Sequence, residues 1–240
     1  MDTSIETINC ACVIHGNAYS WQYVETLLSM LQRHLTPAVR LHVYTEANRD
    51  VPDSMIKHAL EPWPIANSKK SWWYKMQLFN PAHYAGPLLY FDLDTVVVGN
   101  LDWIWKMPTT NFCTIRDFKH LWRPTFYGIN SSVMWWDTLK YAHIWEKFKQ
   151  QNLEYTMKKY HGDQDYITDE VPAKDRRFFD SQRVQSWRWQ LLDGGYNFTK
   201  KCHQAPGTGT QLLPLTSILI FHGNPKPVTI TDPVVQQHWR

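Results

Sequence analysis

Leu88-Leu89-Tyr90-Phe91-Asp92-Leu93-Asp94 decides how this chain is read: an apolar strand runs straight into two carboxylates one residue apart. Side chains alternate faces along a strand, so Asp92 and Asp94 are expected on one face while Leu93 points into the layer behind them. Left unpaired, the two acids repel. A hard divalent ion such as Mn²⁺ or Mg²⁺ takes carboxylate oxygens and shares its remaining positions with water or phosphate, which makes a nucleotide diphosphate the natural third party. A pair of solvated turn acids is the competing reading, and the apolar run leading into the pair weighs against it.

Outward from that strand, the elements alternate. Ile8 to Ile14 is apolar enough for a buried first strand, followed by His15-Gly16-Asn17 as turn chemistry. Ser20 is expected to cap a helix in which Trp21, Val24, Leu27, Leu28, Leu31 and Leu35 recur at helical spacing and which Pro37 stops. Leu41 to Tyr44 reads as a second strand, Ser71 to Phe79 as a helix and Leu88 to Leu93 as a central strand. Asn111 to Arg116 and Ser132 to Trp136 follow as strands. Asp137 is expected to cap a helix carrying Leu139, Ile144, Trp145 and Phe148, and His161-Gly162-Asp163-Gln164-Asp165 opens another. Val184 to Thr210 fits no single pattern, Ser217 to Phe221 is a last apolar strand, and the tail to Arg240 shows no clear period. Strand, helix, strand in that order marks a mainly parallel α/β sheet flanked by helices, with ligands beyond the carboxyl ends of its strands, where Asp92 and Asp94 fall.

At 240 residues the simplest organisation is a single domain over 1–240 with a C-terminal flap, a nucleotide-binding part at about 8–105 and an acceptor side at about 106–240. No stretch approaches the ~18 to 20 apolar residues of a membrane span, and Met1-Asp2-Thr3-Ser4 lacks the basic, apolar start of a secretory signal, so a cytoplasmic location is expected. Cys10, Cys12, Cys113 and Cys202 show no metal spacing, and buried thiols are expected at Cys10 and Cys12. The net charge is +3. Between Lys174 and His203, however, seven basic residues (Lys174, Arg176, Arg177, Arg183, Arg188, Lys200, Lys201) face three acids, interleaved with Phe178, Phe179, Trp187 and Trp189. A polyanion or a sugar face is a candidate partner there, and an ordinary solvated surface is the alternative.

Four motifs stand in sequence order: Asp92-Leu93-Asp94, Asn130-Ser131-Ser132, Gly162-Asp163-Gln164-Asp165 and His222-Gly223-Asn224-Pro225-Lys226-Pro227. In that order they resemble glycosyltransferase family 8 and its glycogenin-like and galactosyltransferase relatives of GT-A fold, and Gly16-Asn17-Ala18-Tyr19 resembles the nucleotide-contacting first loop of that family. The resemblance covers most of residues 8 to 227. It implies a retaining, metal-dependent hexosyltransferase using a nucleotide diphosphate sugar, expected to be a UDP-sugar, with Mn²⁺ or Mg²⁺ held by Asp92, Asp94 and His222. It places Lys226 and Gly223 at the diphosphate, Tyr19 at the base, and Lys75, Asp92 and Asn130 around the donor. Asp163, Gln164 and Asp165 fall on the side of the transferred sugar. One departure is visible: the family commonly has two residues between that histidine and the glycine, whereas Gly223 follows His222 directly.

Bond-breaking chemistry agrees, since cleaving a glycosyl-phosphate bond builds negative charge on the leaving diphosphate, where a metal and a lysine stabilise it. A saccharide or glycan precursor is the expected acceptor. DNA carrying a hydroxymethylated pyrimidine is the other, with the 174–201 segment on its phosphates and Trp187 or Trp189 stacked on a displaced base. The resemblance leaves open whether the reaction uses a nucleophile or a front-face route. Two rivals remain. Phe91-Asp92-Leu93-Asp94-Thr95-Val96 also matches the nucleophile loop of haloacid-dehalogenase-type phosphatases, although such a loop normally follows the first strand. A non-catalytic carbohydrate- or nucleic-acid-binding module would fit the thirteen tryptophans, but such modules are mostly β.

Overall fold

In the computed structural model, which describes residues 6–62, 71–204 and 211–240, the first strand β1 (Thr7–Val13) leads to helix α1 (Gln22–His34), then β2 (Ala38–Thr45) and a short β3 (Ile56–Ala59). A 3₁₀ segment, Ser71–Phe79, precedes β4 (Pro87–Phe91) and β5 (Thr95–Val97). Next come α2 (Asp102–Trp105), β6 (Phe112–Arg116), β7 (Ile129–Asp137), and the helices α3 (Ala142–Gln150), α4 (Leu153–Lys159) and α5 (Asp163–Glu170). The remainder is β8 (Arg176–Phe178), β9 (Val184–Ser186), the hairpin β10 (Tyr196–Asn197) and β11 (Cys202–His203), β12 (Ile218–Ile220) and α6 (Pro233–His238). Met1 to Ser4, read above for a signal, and the end of the 184–210 stretch lie outside the described residues.

Seven strands form one sheet in the order β3-β2-β1-β4-β7-β6-β8. Every neighbouring pair is parallel except the two that involve β7, so β7 alone runs against the rest. Period-2 alternation fills both faces. Cys10, Cys12, Leu89, Phe91, Val133 and Trp135 pack on the side of α1, while Ala11, Leu88, Tyr90, Met134 and Trp136 pack against the 3₁₀ segment, α3 and α5. A second sheet, β5-β12-β9, ties the residues just after the two acids to the C-terminal part of the chain. The α/β layering excludes the mostly-β binding module. Among the described residues no helix is long and apolar enough to cross a membrane.

Several expectations change in detail. Trp21, not Ser20, holds the cap position of α1, and no side chain caps that end. The 71–79 segment is a 3₁₀ helix that is buried from Trp73 to Phe79, so tertiary packing rather than an amphipathic α-period shapes it. Asp137 accepts from the Leu139 amide at 2.8 Å in the turn before α3, whose cap residue is Tyr141, and Leu139 stays exposed. Cys10 and Cys12 are buried as expected, and burial pushes the Cys12 thiol up to about 12.

Candidate active site

β4 ends at Phe91, and the chain turns at once: the Thr95 amide donates to the Asp92 carbonyl at 3.1 Å. Asp92 and Asp94 therefore sit in a turn between β4 and β5 and not along one strand face as expected. Leu93 does enter the core behind them, buried to 2 % exposure. Both acids line a cavity of about 630 Å³ at the carboxyl ends of the parallel strands, a size suited to a small organic ligand.

Each acid already holds a cation. Lys75 Nζ, buried on the 3₁₀ segment, lies 3.0 Å from Asp92 Oδ1 and 3.2 Å from Asp163 Oδ2, and donates to Ser131 Oγ at 3.0 Å. Tyr90 Oη donates to Asp92 Oδ1 and Ser131 Oγ to Asp163 Oδ2, both at 2.6 Å. Burial alone would raise Asp92 and lower Lys75. The mutual charges and hydroxyl donors outweigh it, so Asp92 stays below the ordinary carboxylate range and Lys75 above its usual value. A solvated helix lysine is thereby excluded.

Asp94 Oδ2 takes Lys226 Nζ at 2.5 Å and Tyr19 Oη at 2.9 Å, and Lys226 also donates to Tyr19 Oη at 2.9 Å. Burial and the neighbouring Asp92 charge still push Asp94 up, because Lys226 and Tyr19 offset them only in part. Tyr19 spends its hydroxyl here. Its loop is clamped from β2: Glu46 accepts from the Gly16 amide at 2.5 Å and from Arg49 Nε at 2.9 Å, while Arg49 donates to the Gly16 carbonyl at 2.7 Å.

His222 follows β12 into the cavity wall. Burial drives its imidazole down to about 4, and the Arg188 and Lys226 charges push the same way against Asp92. Its Nε2 is buried with no hydrogen-bond partner among the described residues, and its ring meets Phe118 edge-on at 5.0 Å. Gly223 also lines the cavity, in the left-handed region at φ +66°, with Arg188 as the nearest neighbour to where a side chain would start. A neutral imidazole with a free nitrogen and two carboxylates are the donor types that a hard divalent cation accepts, and the upward push on Asp94 is an unmet demand for positive charge. In kind the residues fit the ion. As the side chains stand, Lys75 and Lys226 occupy the acids, and among the described residues no three of His, Cys, Asp or Glu cluster closely enough to hold a metal.

On the sugar side the expectations divide. Asn130 and Ser131 lie inside β7, so Asn130 is a strand residue, not a turn asparagine; its Oδ1 accepts from the Ser132 amide at 3.1 Å. Gly162 holds the cap position of α5, and Asp163 makes no capping bond because its carboxylate is turned to Lys75. Gln164 lines the cavity and donates to Asp117 Oδ2 at 3.1 Å. Asp165, two residues further round the helix, is not among the lining residues. Sequence reasoning quoted Tyr90 and Ser131 within motifs without giving either a role, and passed over Asp117. Asp117 follows β6 directly, at the same end of the sheet, and the strand-end rule that singled out Asp92 applies equally to it.

Of the basic segment, Lys174, Arg177, Lys200 and Lys201 are exposed, while Arg183 stacks on the Trp103 ring. Arg176 braces the backbone carbonyls of Val171, Tyr127 and Thr168. Trp187 is buried with its ring stacked on Phe221 at 5.4 Å, so it is not available to a displaced base. Trp189 packs among Trp122, Tyr196 and Phe198.

The sequence matches no protein-family model and no curated protein. Its fold does match solved structures. An active-site mutant of LgtC superposes with a TM-score of 0.60 at 14% identity over 96% of this chain and 93% of that one. The galactosyltransferase LgtC in complex with donor and acceptor sugar analogues gives 0.58 at 13%, covering 96% of each chain. The glycosyltransferase GlyE of Streptococcus pneumoniae TIGR4 gives 0.63 at 18%, with 92% of this chain spanning 56% of that one. The molecule is thus a single α/β domain with the GT-A-like glycosyltransferase fold that its motif order implied.

Proposed function

We propose that this chain is a retaining glycosyltransferase that moves a hexose from a nucleotide diphosphate sugar, a UDP-sugar, to a saccharide hydroxyl. The observation that carries the reading is that Asp92, Asp94, Lys75 and a neutral His222 imidazole, unpartnered among the described residues, line one cavity at the strand ends, with Lys226 paired to Asp94 from behind. An enclosed set of this kind suits a leaving group that gains negative charge, and the fold is one that hosts sugar transfer. A Mn²⁺ or Mg²⁺ ion held by Asp92, Asp94 and His222 would supply Lewis-acid stabilisation of that charge.

The chain's own residues divide the remaining work. Lys75 keeps Asp92 ionised and holds the Asp92 and Asp163 carboxylates in place at the cavity wall. Asp163, Gln164 and Asn130 orient sugar hydroxyls, with Asp165 supporting α5, and Tyr19 holds the first loop against the donor. A front-face substitution, in which the leaving phosphate takes the acceptor's proton, needs only this positioning and charge stabilisation. The DNA acceptor loses Trp187 and Arg176 to structural duties, which favours a saccharide.

A panel of sugar nucleotides scored for slow hydrolysis with Mn²⁺ tests the reading. Turnover of uridine donors, with a metal-dependent rise in melting temperature on adding uridine diphosphate, is expected. Turnover of cytidine or guanosine donors alone overturns the base assignment. Release of phosphate from para-nitrophenyl phosphate with Mg²⁺, without sugar-nucleotide hydrolysis, overturns the transferase in favour of a phosphatase.

A further inference from the structure

Lys226, the cation expected at the diphosphate, is committed elsewhere, to Asp94 at 2.5 Å and to Tyr19 at 2.9 Å. Arg188 is placed differently. Among the described residues it pairs with no carboxylate, and its guanidinium rests over the Trp189 ring, 4.6 Å from the centroid. One terminal nitrogen lies 3.9 Å from where a Cβ on Gly223 would stand, so the charge faces the bare backbone of a residue that lines the cavity.

Register explains how the arginine arrives there. β9 and β12 pair in parallel with Ser186 opposite Ile220. One step on, the Trp187 ring stacks on Phe221 at an interplanar angle of 11°. The next step sets Arg188 beside His222 and Gly223. Ser186 caps the single π turn Trp187–Leu191, accepting from the Trp189 amide at 3.1 Å, and so fixes the turn that carries the guanidinium. Half-buried and planar, and itself resting over the Trp189 ring, the guanidinium is pre-organised for a bidentate grip on phosphate oxygens.

We infer that Arg188 binds the diphosphate of the donor, its guanidinium taking phosphate oxygens across Gly223 while Lys226 remains on Asp94. The assignment rests on the transferase reading above and names a residue that the motif order does not mark.

The test is calorimetric titration of the full chain, with Mn²⁺ at fixed salt, using uridine diphosphate and uridine monophosphate. Arg188→Ala is expected to weaken diphosphate binding by about tenfold or more, in line with loss of charge-assisted hydrogen bonds, and monophosphate binding by less than about twofold. Arg188→Lys should fall between. If Arg188→Ala does not fold, Arg188→Gln keeps a longer polar side chain in the same space and should show the same selective loss. Equal losses for both nucleotides, or unchanged diphosphate affinity, overturn the role of Arg188 while leaving the transferase standing. Failure of the unaltered chain to bind any of the uridine, cytidine, guanosine or adenosine diphosphates overturns both. Binding of a different nucleoside diphosphate, with the same selective loss in Arg188→Ala, supports Arg188 and changes only the base.

Discussion

Replacing Lys75 by Met removes one buried ammonium from between the buried Asp163 and the half-buried Asp92, and the structure allows the cost to be bounded. The substitution is close in volume, so packing changes little. Breaking a buried ion pair by removing one partner costs about 3–5 kcal/mol. Protonation caps that figure: neutralising one carboxyl at pH 7, roughly three units above its ordinary pKa, costs about 4 kcal/mol. Each acid keeps a hydroxyl donor at 2.6 Å, Tyr90 on Asp92 and Ser131 on Asp163, so the estimate stays near that cap. The pH dependence follows in sign. Asp92 has a depressed pKa in the folded chain, so the stability it contributes is present above the unfolded value and is lost only as pH falls through the folded one. In the Lys75→Met chain the same proton is taken up on folding, so acid helps. Two units of pH, from 7 to 5, should shrink the penalty by about 2.7 kcal/mol. Urea unfolding of both chains at pH 7 and pH 5 measures this, and adding Asp163→Asn to Lys75→Met should recover part of the loss at pH 7. A penalty under about 1 kcal/mol at pH 7, or one equal at the two pH values, would refute the buried bridge.

Asp94→Asn should abolish donor turnover yet melt no lower than the parent at pH 7, because the folded site raises the Asp94 pKa and so disfavours its charge above the unfolded value; normal turnover at low Mn²⁺ would make the acid a bystander. His222→Ala should weaken metal-dependent donor binding less than Asp94→Asn does, read by Mn²⁺ titration, with the reverse order contradicting the ligand roles. His42 and His58 lie 2.8 Å apart between β2 and β3, and burial holds each down to about 4. Their stabilising neutrality is complete above the unfolded value and is lost as pH falls from about 6.5 toward 4, so urea midpoints should drop across that window, and a flat profile would contradict the pair. Gly195→Ala should cost about 1–3 kcal/mol in urea unfolding, since φ is +87° and the new Cβ would stand 2.9 Å from the Gln190 carbonyl oxygen; parent-like stability would show that the π turn relaxes freely.

The central layer was readable because its strands are buried on both sides and its first helix is amphipathic; Ile8 to Ile14 and Leu41 to Tyr44 differ from β1 and β2 only at their ends. β3 escaped because Ile56–Ala59 is a short edge strand, mostly exposed, without alternation. Among site residues, Asp92, Asp94, Asn130, Asp163, Gln164, His222 and Gly223 all line one cavity. Their partners were not legible. Lys75 looks like any helix lysine until the fold sets Asp92 and Asp163 on either side of it, and nothing local to Lys226 announces Asp94. Arg188 hid within a charge cluster whose other members brace backbone, stack on Trp103 or face water, because composition counts charges without saying which way they point.

The bridge between Asp94 and Lys226 spans 132 residues, and that between Lys226 and Tyr19 spans 207. Contacts of such separation carry a closure entropy that grows slowly with the length of chain enclosed. Until the C-terminal part is docked, Asp94 lacks its cation. Only when β12 pairs with β5 and β9 does the segment bearing Lys226 dock, and the electrostatics of the cavity are then completed in one step. The charge balance of the cavity becomes a reporter of chain completion: a molecule lacking its docked C-terminal part presents an uncompensated acid at Asp94.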